Sequence, residues 1–188
     1  MVYNMVAYKL FASLLLRRLQ AAGAEKRLTQ TQFGFRCGRG TTDAIFAVRR
    51  SIDLALAHKN GQTAMLALDW AKAFDSINVE AMLKALSRFG VPAKMLRILR
   101  HIYEERFFSV LDGDSPSTRR QQRSGISQGC PLSPFLFVML MSVMMKDAVN
   151  CLPQSLQEMF GTNSLDAYLY ADDTLLVGVS QEKVCRNC

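Results

Sequence analysis

Apolar positions recur at two spacings along the 188-residue chain, and the switches between them outline its elements. Residues 4–22 form a nearly apolar rod with one polar stripe, Lys9, Ser13 and Arg17, at i, i+4 and i+8, which predicts a helix. Residues 23–40 hold four glycines and no helical period; they read as a loop with room for a short strand. Thr42 and Asp43 can cap a helix running to about His58, with Ile45, Val48, Ile52 and Leu56 on one face and Asn60-Gly61 at its end. The short apolar run Thr63 to Asp69 predicts a buried strand. Asn78 can cap a helix through Phe89, stopped by Gly90 and followed by Pro92, and a second helix covers about 93–104. Arg106 to Leu111 alternates like a strand, Asp112-Gly113 is a turn signal, and Arg119 to Gly125 can return as its partner. Pro131 to about Leu152 predicts a helix with prolines only in its first turn. Leu165 to Val179 reads as two strands hinged at Asp172-Asp173. From residue 63 the order is β, α, α, β, β, α, β, β, an α+β pattern close to a split βαβ sandwich.

Composition narrows the class. With 49% hydrophobic and 21% charged residues, the chain is neither a disordered tail nor a collagen-like fibre, and it has enough apolar residues for a real core. The net charge of +7 is concentrated. The first 50 residues carry nine basic and two acidic side chains, whereas the remaining 138 carry 14 of each sign. A basic N-terminal third is either a polyanion contact surface or a solvated helix face, and charge alone does not separate the two. Five irregularly spaced cysteines argue against a disulfide framework and for a reducing, intracellular setting, nuclear or cytoplasmic rather than secreted. Cys185 and Cys188 form a C-x-x-C, but no second Cys or His pair exists to complete a zinc site. The most apolar run, Phe135 to Met145, is about half the ~20 residues that span a bilayer, so no membrane role is expected. The chain starts inside an apolar helical pattern and stops soon after a strand signal, as a piece of a longer protein would.

The chemistry begins with acids at the ends of apolar strands. Asp69 follows Met65-Leu66-Ala67-Leu68, and Asp172-Asp173 follow Ala167-Tyr168-Leu169-Tyr170-Ala171. An acid at such a position is costly unless paired, hydrogen-bonded or bound to a cation, and two adjacent acids repel. A pair of Mg²⁺ ions with carboxylates converging from separate strands would relieve the cost. Asp-Asp is also common turn chemistry, and Asp69 is what weakens that simpler account. A second segment, Gly125 to Gly129, contains G-x-S-x-G, the nucleophile-elbow pattern of α/β-hydrolases. Those enzymes place a histidine after the serine; here His58 and His101 both precede Ser127, so the hydrolase reading fails on order. Cys130 reads as a small apolar filler. A glycine-rich loop opening a helix also suits phosphate or nucleotide approach.

Together the pieces resemble a known family. Asp69-Trp70-Ala71-Lys72-Ala73-Phe74-Asp75, then Gly125-Ile126-Ser127-Gln128-Gly129-Cys130-Pro131-Leu132-Ser133-Pro134, then Tyr170-Ala171-Asp172-Asp173 look like the three palm motifs of reverse transcriptases, in order. Gln32-Phe33-Gly34-Phe35-Arg36 with Gly38-Arg39-Gly40-Thr41-Thr42-Asp43 looks like the fingers motif before them. The style is that of non-LTR (LINE-type) retrotransposon enzymes, and the resemblance covers residues 3–179.

The resemblance implies an α+β reverse-transcriptase palm, a split βαβ-like antiparallel sheet packed on helices, over 63–179. It implies a partial, mostly helical fingers region over 1–62, a terminal tail over 180–188 and no thumb. It implies an RNA-directed DNA polymerase, a nucleotidyltransferase adding dNTPs to a DNA primer on an RNA template. Asp69, Asp172, Asp173 and the main-chain carbonyl of Trp70 would hold two Mg²⁺ ions, with Mn²⁺ as a substitute. Ala71, Phe74, Gln128 and Gly129 would line the incoming nucleotide, and Phe74 would block a ribose 2′-hydroxyl; a core aromatic would explain Phe74 equally well. Arg36, Arg39, Arg119, Arg120 and Arg123 would touch the nucleic-acid backbone, with a solvated strand face as the plain alternative for the last three. Asp75 reads as a helix-start cap. The alternatives are a catalytically inactive remnant that only binds nucleic acid, and a related RNA-dependent polymerase or group II intron-type enzyme.

Overall fold

The computed structural model describes residues 6–58, 60–104, 106–113, 115–160 and 165–180. The Cys185/Cys188 pair lies outside these residues. The chain forms two compact units interleaved in sequence, Met1–Leu28 with Ala71–Met144, and Thr29–Trp70 with Met145–Cys188.

The first unit is mainly helical. Helix α1 (Val6–Ala21) buries Ala12, Leu15 and Leu19 and leads through Gly23, in the left-handed region at φ 75°, into one 3-10 turn at Ala24–Arg27. Two further helices, α3 (Val79–Phe89) and α4 (Ala93–Tyr103), pack against each other. Their local signals are obeyed: the Asn78 side chain accepts the Ala81 N–H at 3.0 Å, and Gly90 closes α3 at φ 99°. Met82, Leu83 and Leu86 make the buried stripe of α3, each contributing about 1.5–3 kcal/mol by leaving water. The longest helix among the described residues, α5 (Ser133–Asn150), is apolar nearly all round, and its first half is buried from Phe135 to Met139. Between α4 and α5 the chain makes a narrow hairpin of two ladders, β2 (Phe107–Phe108) with β5 (Arg120–Gln121), and β3 (Leu111–Asp112) with β4 (Ser115–Pro116). These strands are much shorter than the predicted pair.

The second unit is a three-stranded antiparallel sheet covered by one helix, α2 (Thr41–Leu56). The spatial order is β1 (Gln62–Leu68), β7 (Asp173–Ser180), β6 (Leu165–Tyr170). On β6, Ala167 and Leu169 are buried, while Tyr168 turns to α2 and shares a short hydrogen bond with the Ser51 hydroxyl. Segment 31–33 lies parallel to β6 through Phe33 N–H to Leu169 O at 2.8 Å and Leu169 N–H to Thr31 O at 2.9 Å.

Several expectations need correction. β1 is an edge strand, not a buried one: Met65 and Leu66 are each 55% exposed. The later apolar run, β7, takes the central place because it pairs on both sides. The cap of α2 is Gly40, whose N–H is bonded by the Asp43 carboxylate reaching back from the first turn at 2.7 Å. The α2 face of Ile45, Val48, Ile52 and Leu56 is not fully buried; of the helix only Ala55 is. The hinge of the last hairpin is Ala171-Asp172, and Asp173 already belongs to β7. A short helix, α6 (Gln154–Met159), follows α5 unforeseen.

The α3 cap gives a direct test. Asn78→Ala is expected to cost about 1 kcal/mol, which lowers the thermal midpoint by ~2–4 °C in a chain of this size, measured by calorimetry or circular dichroism.

Candidate active site

The sheet brings the three acids to one end. Leu68, the last residue of β1, pairs with Thr174, so Asp69 leaves β1 at the sheet end where Asp173 begins β7. Tyr170 pairs with Asp173, which leaves Ala171 and Asp172 as a two-residue turn. Ala171 sits at φ 58°, a strained value for a residue with a Cβ. Asp69 and Asp173 are exposed and Asp172 is half-buried. Asp69 and Asp173 also line a cavity of about 530 Å³ between α2 and the sheet, whose walls are Ile45, Val48, Ile52 and Leu175.

The acid end is braced from inside. The Trp70 indole N–H donates to the Thr174 hydroxyl at 3.2 Å, and that hydroxyl donates to the Asp172 carbonyl at 3.3 Å. Thr174 is 3% exposed, and sequence reasoning missed it. It missed Gln32 as well. The Gln32 side chain is wholly buried; its amide oxygen accepts the N–H of Gly34 at 2.8 Å and of Ala171 at 3.1 Å, and its amide nitrogen donates to the Ala171 carbonyl at 3.3 Å. Gly34 approaches so closely that a Cβ there would stand 2.2 Å from the Ala171 nitrogen. The only sequence signal for Gln32 was its place in the fingers motif.

The three carboxylates offer hard oxygen donors of the type divalent cations take. Among the described residues none of them has a Lys or Arg within ion-pair distance. Among the same residues no three His, Cys, Asp or Glu side chains are drawn together tightly enough to enclose an ion. Register therefore groups the acids without closing a coordination sphere, and the donor set suits a divalent cation by its chemistry.

The nucleotide-motif residues belong to the first unit. The turn at 71–75, with Lys72 at φ 51°, carries exposed Ala71 and half-buried Phe74. Phe74 stacks on Phe137 with centroids 4.7 Å apart, so it is at once a core aromatic and a candidate contact. The Gly125–Gly129 loop docks on this turn: Gly125 N–H donates to Ile77 O at 2.8 Å and Ile126 N–H to Phe74 O at 2.9 Å. Gly125, at φ 84°, passes so near Asp75 that a Cβ would lie 2.9 Å from its backbone. Gln128, exposed, donates to Asp75 Oδ1 at 3.2 Å, and Gly129 stands at φ 77°. Asp75 is thus a partner of the Gln128 loop; Asn78, not Asp75, caps the helix.

Arg106 supports the loop from within a cavity of about 490 Å³ that also holds Tyr8, Asp75 and Gln128. It donates to Gly125 O at 2.6 Å, to the Ser127 hydroxyl at 3.1 Å and to Tyr103 O at 3.3 Å, and lies 4.7 Å over the Tyr103 ring. Burial draws its pKa below the ordinary guanidinium value. Burial likewise pushes the Tyr103 phenol up to about 12 and raises that of Tyr8, whose hydroxyl donates to buried Cys130 Sγ at 3.3 Å.

The predicted nucleic-acid arginines divide. Arg36 Nη1 donates to the carbonyls of Thr29 and Gln32, both at 3.1 Å, and Arg39 donates to Gln30 O while lying 5.3 Å over Phe33. Arg119, Arg120 and Arg123 are exposed on the hairpin, with Arg119 4.4 Å over the Phe107 ring.

A family model described as "Reverse transcriptase (RNA-dependent DNA polymerase)" matches residues 1–188. The chain belongs to the reverse transcriptase family. It is 31% identical over 130 residues to the "Probable RNA-directed DNA polymerase from transposon BS" of Drosophila melanogaster, covering 69% of this chain and 14% of that protein. It is 30% identical over 176 residues to the "RNA-directed DNA polymerase from mobile element jockey" of the same organism, covering 92% of this chain and 18% of that protein. The chain thus spans less than a fifth of these reverse transcriptase relatives. In fold it is similar to telomerase from Candida tropicalis in complex with a fragment of telomeric RNA, with a TM-score of 0.65 at 14% identity over 88% of this chain and 28% of that one. Among the described residues no helix is long and apolar enough to cross a membrane, and no disulfide joins the cysteines.

The close packing at Gly34 predicts a contrast measured by thermal unfolding. Gly34→Ala, which meets backbone, is expected to cost more than ~2 kcal/mol. Gly23→Ala, strained but in open space, is expected to cost about 1 kcal/mol.

Proposed function

We propose that the chain is the polymerase core of a retroelement protein, transferring dNTPs onto the 3′-hydroxyl of a DNA primer on an RNA template. One observation carries the reading: the register gathers Asp69, Asp172 and Asp173 at one sheet end with no cationic side chain to neutralise them among the described residues. In this reading residues 1–62 belong to the fingers, 63–179 to the palm and 180–188 to a tail.

The transfer forms a bond between the primer 3′-oxygen and the α-phosphorus and breaks the bond to pyrophosphate. Bound Mg²⁺, or Mn²⁺ in its place, would lower the pKa of the 3′-hydroxyl and neutralise the triphosphate. Asp69, Asp172 and Asp173 would hold the ions with the Trp70 carbonyl. Gln128, held by Asp75, would present its amide beside Gly129 and Ala71 to the nucleotide. Phe74, kept rigid by Phe137, would exclude a ribose 2′-hydroxyl. Arg36, Arg39, Arg119, Arg120 and Arg123 would meet the template backbone, and the Phe107-Arg119 pair would give a template base a flat surface to stack on. An intracellular site of action, nuclear or cytoplasmic, goes with such substrates.

The test is primer extension on an RNA template with dNTPs and Mg²⁺. The unmutated chain is expected to extend the primer, and Asp172→Ala to reduce extension at least ~10³-fold while binding template–primer with unchanged affinity. Salt-sensitive binding by both proteins with extension by neither would assign the chain instead to a remnant that only binds nucleic acid. Phe74→Val is expected to raise ribonucleotide incorporation about tenfold or more relative to deoxyribonucleotide, read from competition between dNTP and rNTP.

A further inference from the structure

We infer that Gln32 is a positioning residue for the catalytic turn: its buried amide holds the Ala171 peptide in a left-handed conformation and so fixes the aim of Asp172 and Asp173. The inference rests on the polymerase reading for what the turn does, and on geometry for how it is held.

The turn has a reason to move. It has two loop residues, its first residue is an alanine at φ 58°, and its acids repel one another. A strained conformation persists only where its surroundings over-determine it. Gln32 supplies that determination. A primary amide has one acceptor and one donor end, and Gln32 spends both on Ala171: oxygen to N–H at 3.1 Å, nitrogen to carbonyl at 3.3 Å. This two-point grip fixes the orientation of the turn backbone, not merely its position. The same oxygen also takes the Gly34 N–H at 2.8 Å, tying the grip to segment 31–34. That segment is itself anchored to Leu169 on both sides of Gln32. Gly34 backs the turn so closely that a Cβ there would stand 2.2 Å from the Ala171 nitrogen. Gln32 is wholly buried, so its amide has no other solvation, and loss of the grip would leave three polar groups unpaired. The buried Gln32 side chain bonds the backbone of Gly34 and Ala171, so it acts through Ala171.

Two measurements on the full chain test the inference. First, hydrogen exchange followed by NMR on the unmutated chain should find the Ala171 and Gly34 amides as protected as those of the β6–β7 ladder. Exchange of either at the rate of an exposed loop would overturn the grip, and this readout stands whether or not the chain extends primers. Second, a double-mutant cycle combines Gln32→Met, which keeps the volume and removes the amide, with Ala171→Gly, which removes the backbone strain. Alone, Gln32→Met is expected to lower kcat about tenfold or more with KM for dNTP and affinity for template–primer changed less than about threefold. It should also weaken Mn²⁺ binding, followed by electron paramagnetic resonance, by a similar factor. In the Ala171→Gly background the same substitution should cost less than about threefold in both readouts. Equal losses in the two backgrounds, or a loss confined to KM and thermal midpoint, would make Gln32 a stabilising residue only and overturn the proposal. If the unmutated chain extends no primer, the polymerase reading falls alone, and Mn²⁺ affinity with the exchange pattern decides on Gln32.

Discussion

The pairing of β1 with β7 is the interaction on which the site depends. It joins Gln62 to Ser180 and Leu68 to Thr174, partners more than 100 residues apart in the chain. Closing so long a loop costs only slightly more than closing a short one, since each doubling of length adds about 0.6 kcal/mol. What the ladder must deliver is register. A slip of one residue would turn Asp69 to the other face of the sheet. A slip of two would keep the face but move it by about 7 Å, out of step with the Asp172-Asp173 turn. The sheet is small, yet its alignment decides whether the acids meet.

What could be read from the chain beforehand follows the range of the interactions involved. Helix α3 was legible because its determinants are local: Asn78 at one end, Gly90 at the other, and an apolar stripe between them. The aspartates were legible because acids at the ends of apolar runs carry a visible cost. The exposure of β1 was not, since an apolar run reads alike at the edge and in the centre of a sheet, and a distant strand decides between them. Gln32 was opaque for the same reason: its partner Ala171 lies 139 positions away, and nothing near Gln32 marks it as buried. Asp75 was misread because a carboxylate just before a helix is usually a cap, whereas here Asn78 had already taken that place and Gln128 stood waiting. Helix α6 has six residues and none of them buried, so it leaves no periodic trace.

The basic N-terminal third takes on a more detailed character in the structure. Arg27 donates to the carbonyls of Phe89 and Gly90, and Arg36 and Arg39 donate to carbonyls of their own loop. Each side chain is held in one direction by main-chain acceptors. These arginines are therefore oriented charges, and Arg36 and Arg39 brace the same 29–36 segment that cradles the turn.

Among the described residues no strand pairs with the outer side of β1, and this bears on how the molecule behaves in solution. An edge strand presents a row of unused N–H and C=O groups, and here it carries Met65 and Leu66 among its exposed residues. Lys or Pro on the edge would discourage a second strand from adding there, and residues 62–68, QTAMLAL, contain neither and no charge at all. Colloidal stability then falls to the long-range repulsion of a chain at +7, which salt screens over ~10 Å at 0.1 M. The two forces set a direction: low ionic strength keeps the molecules apart, and high ionic strength brings edges within pairing distance.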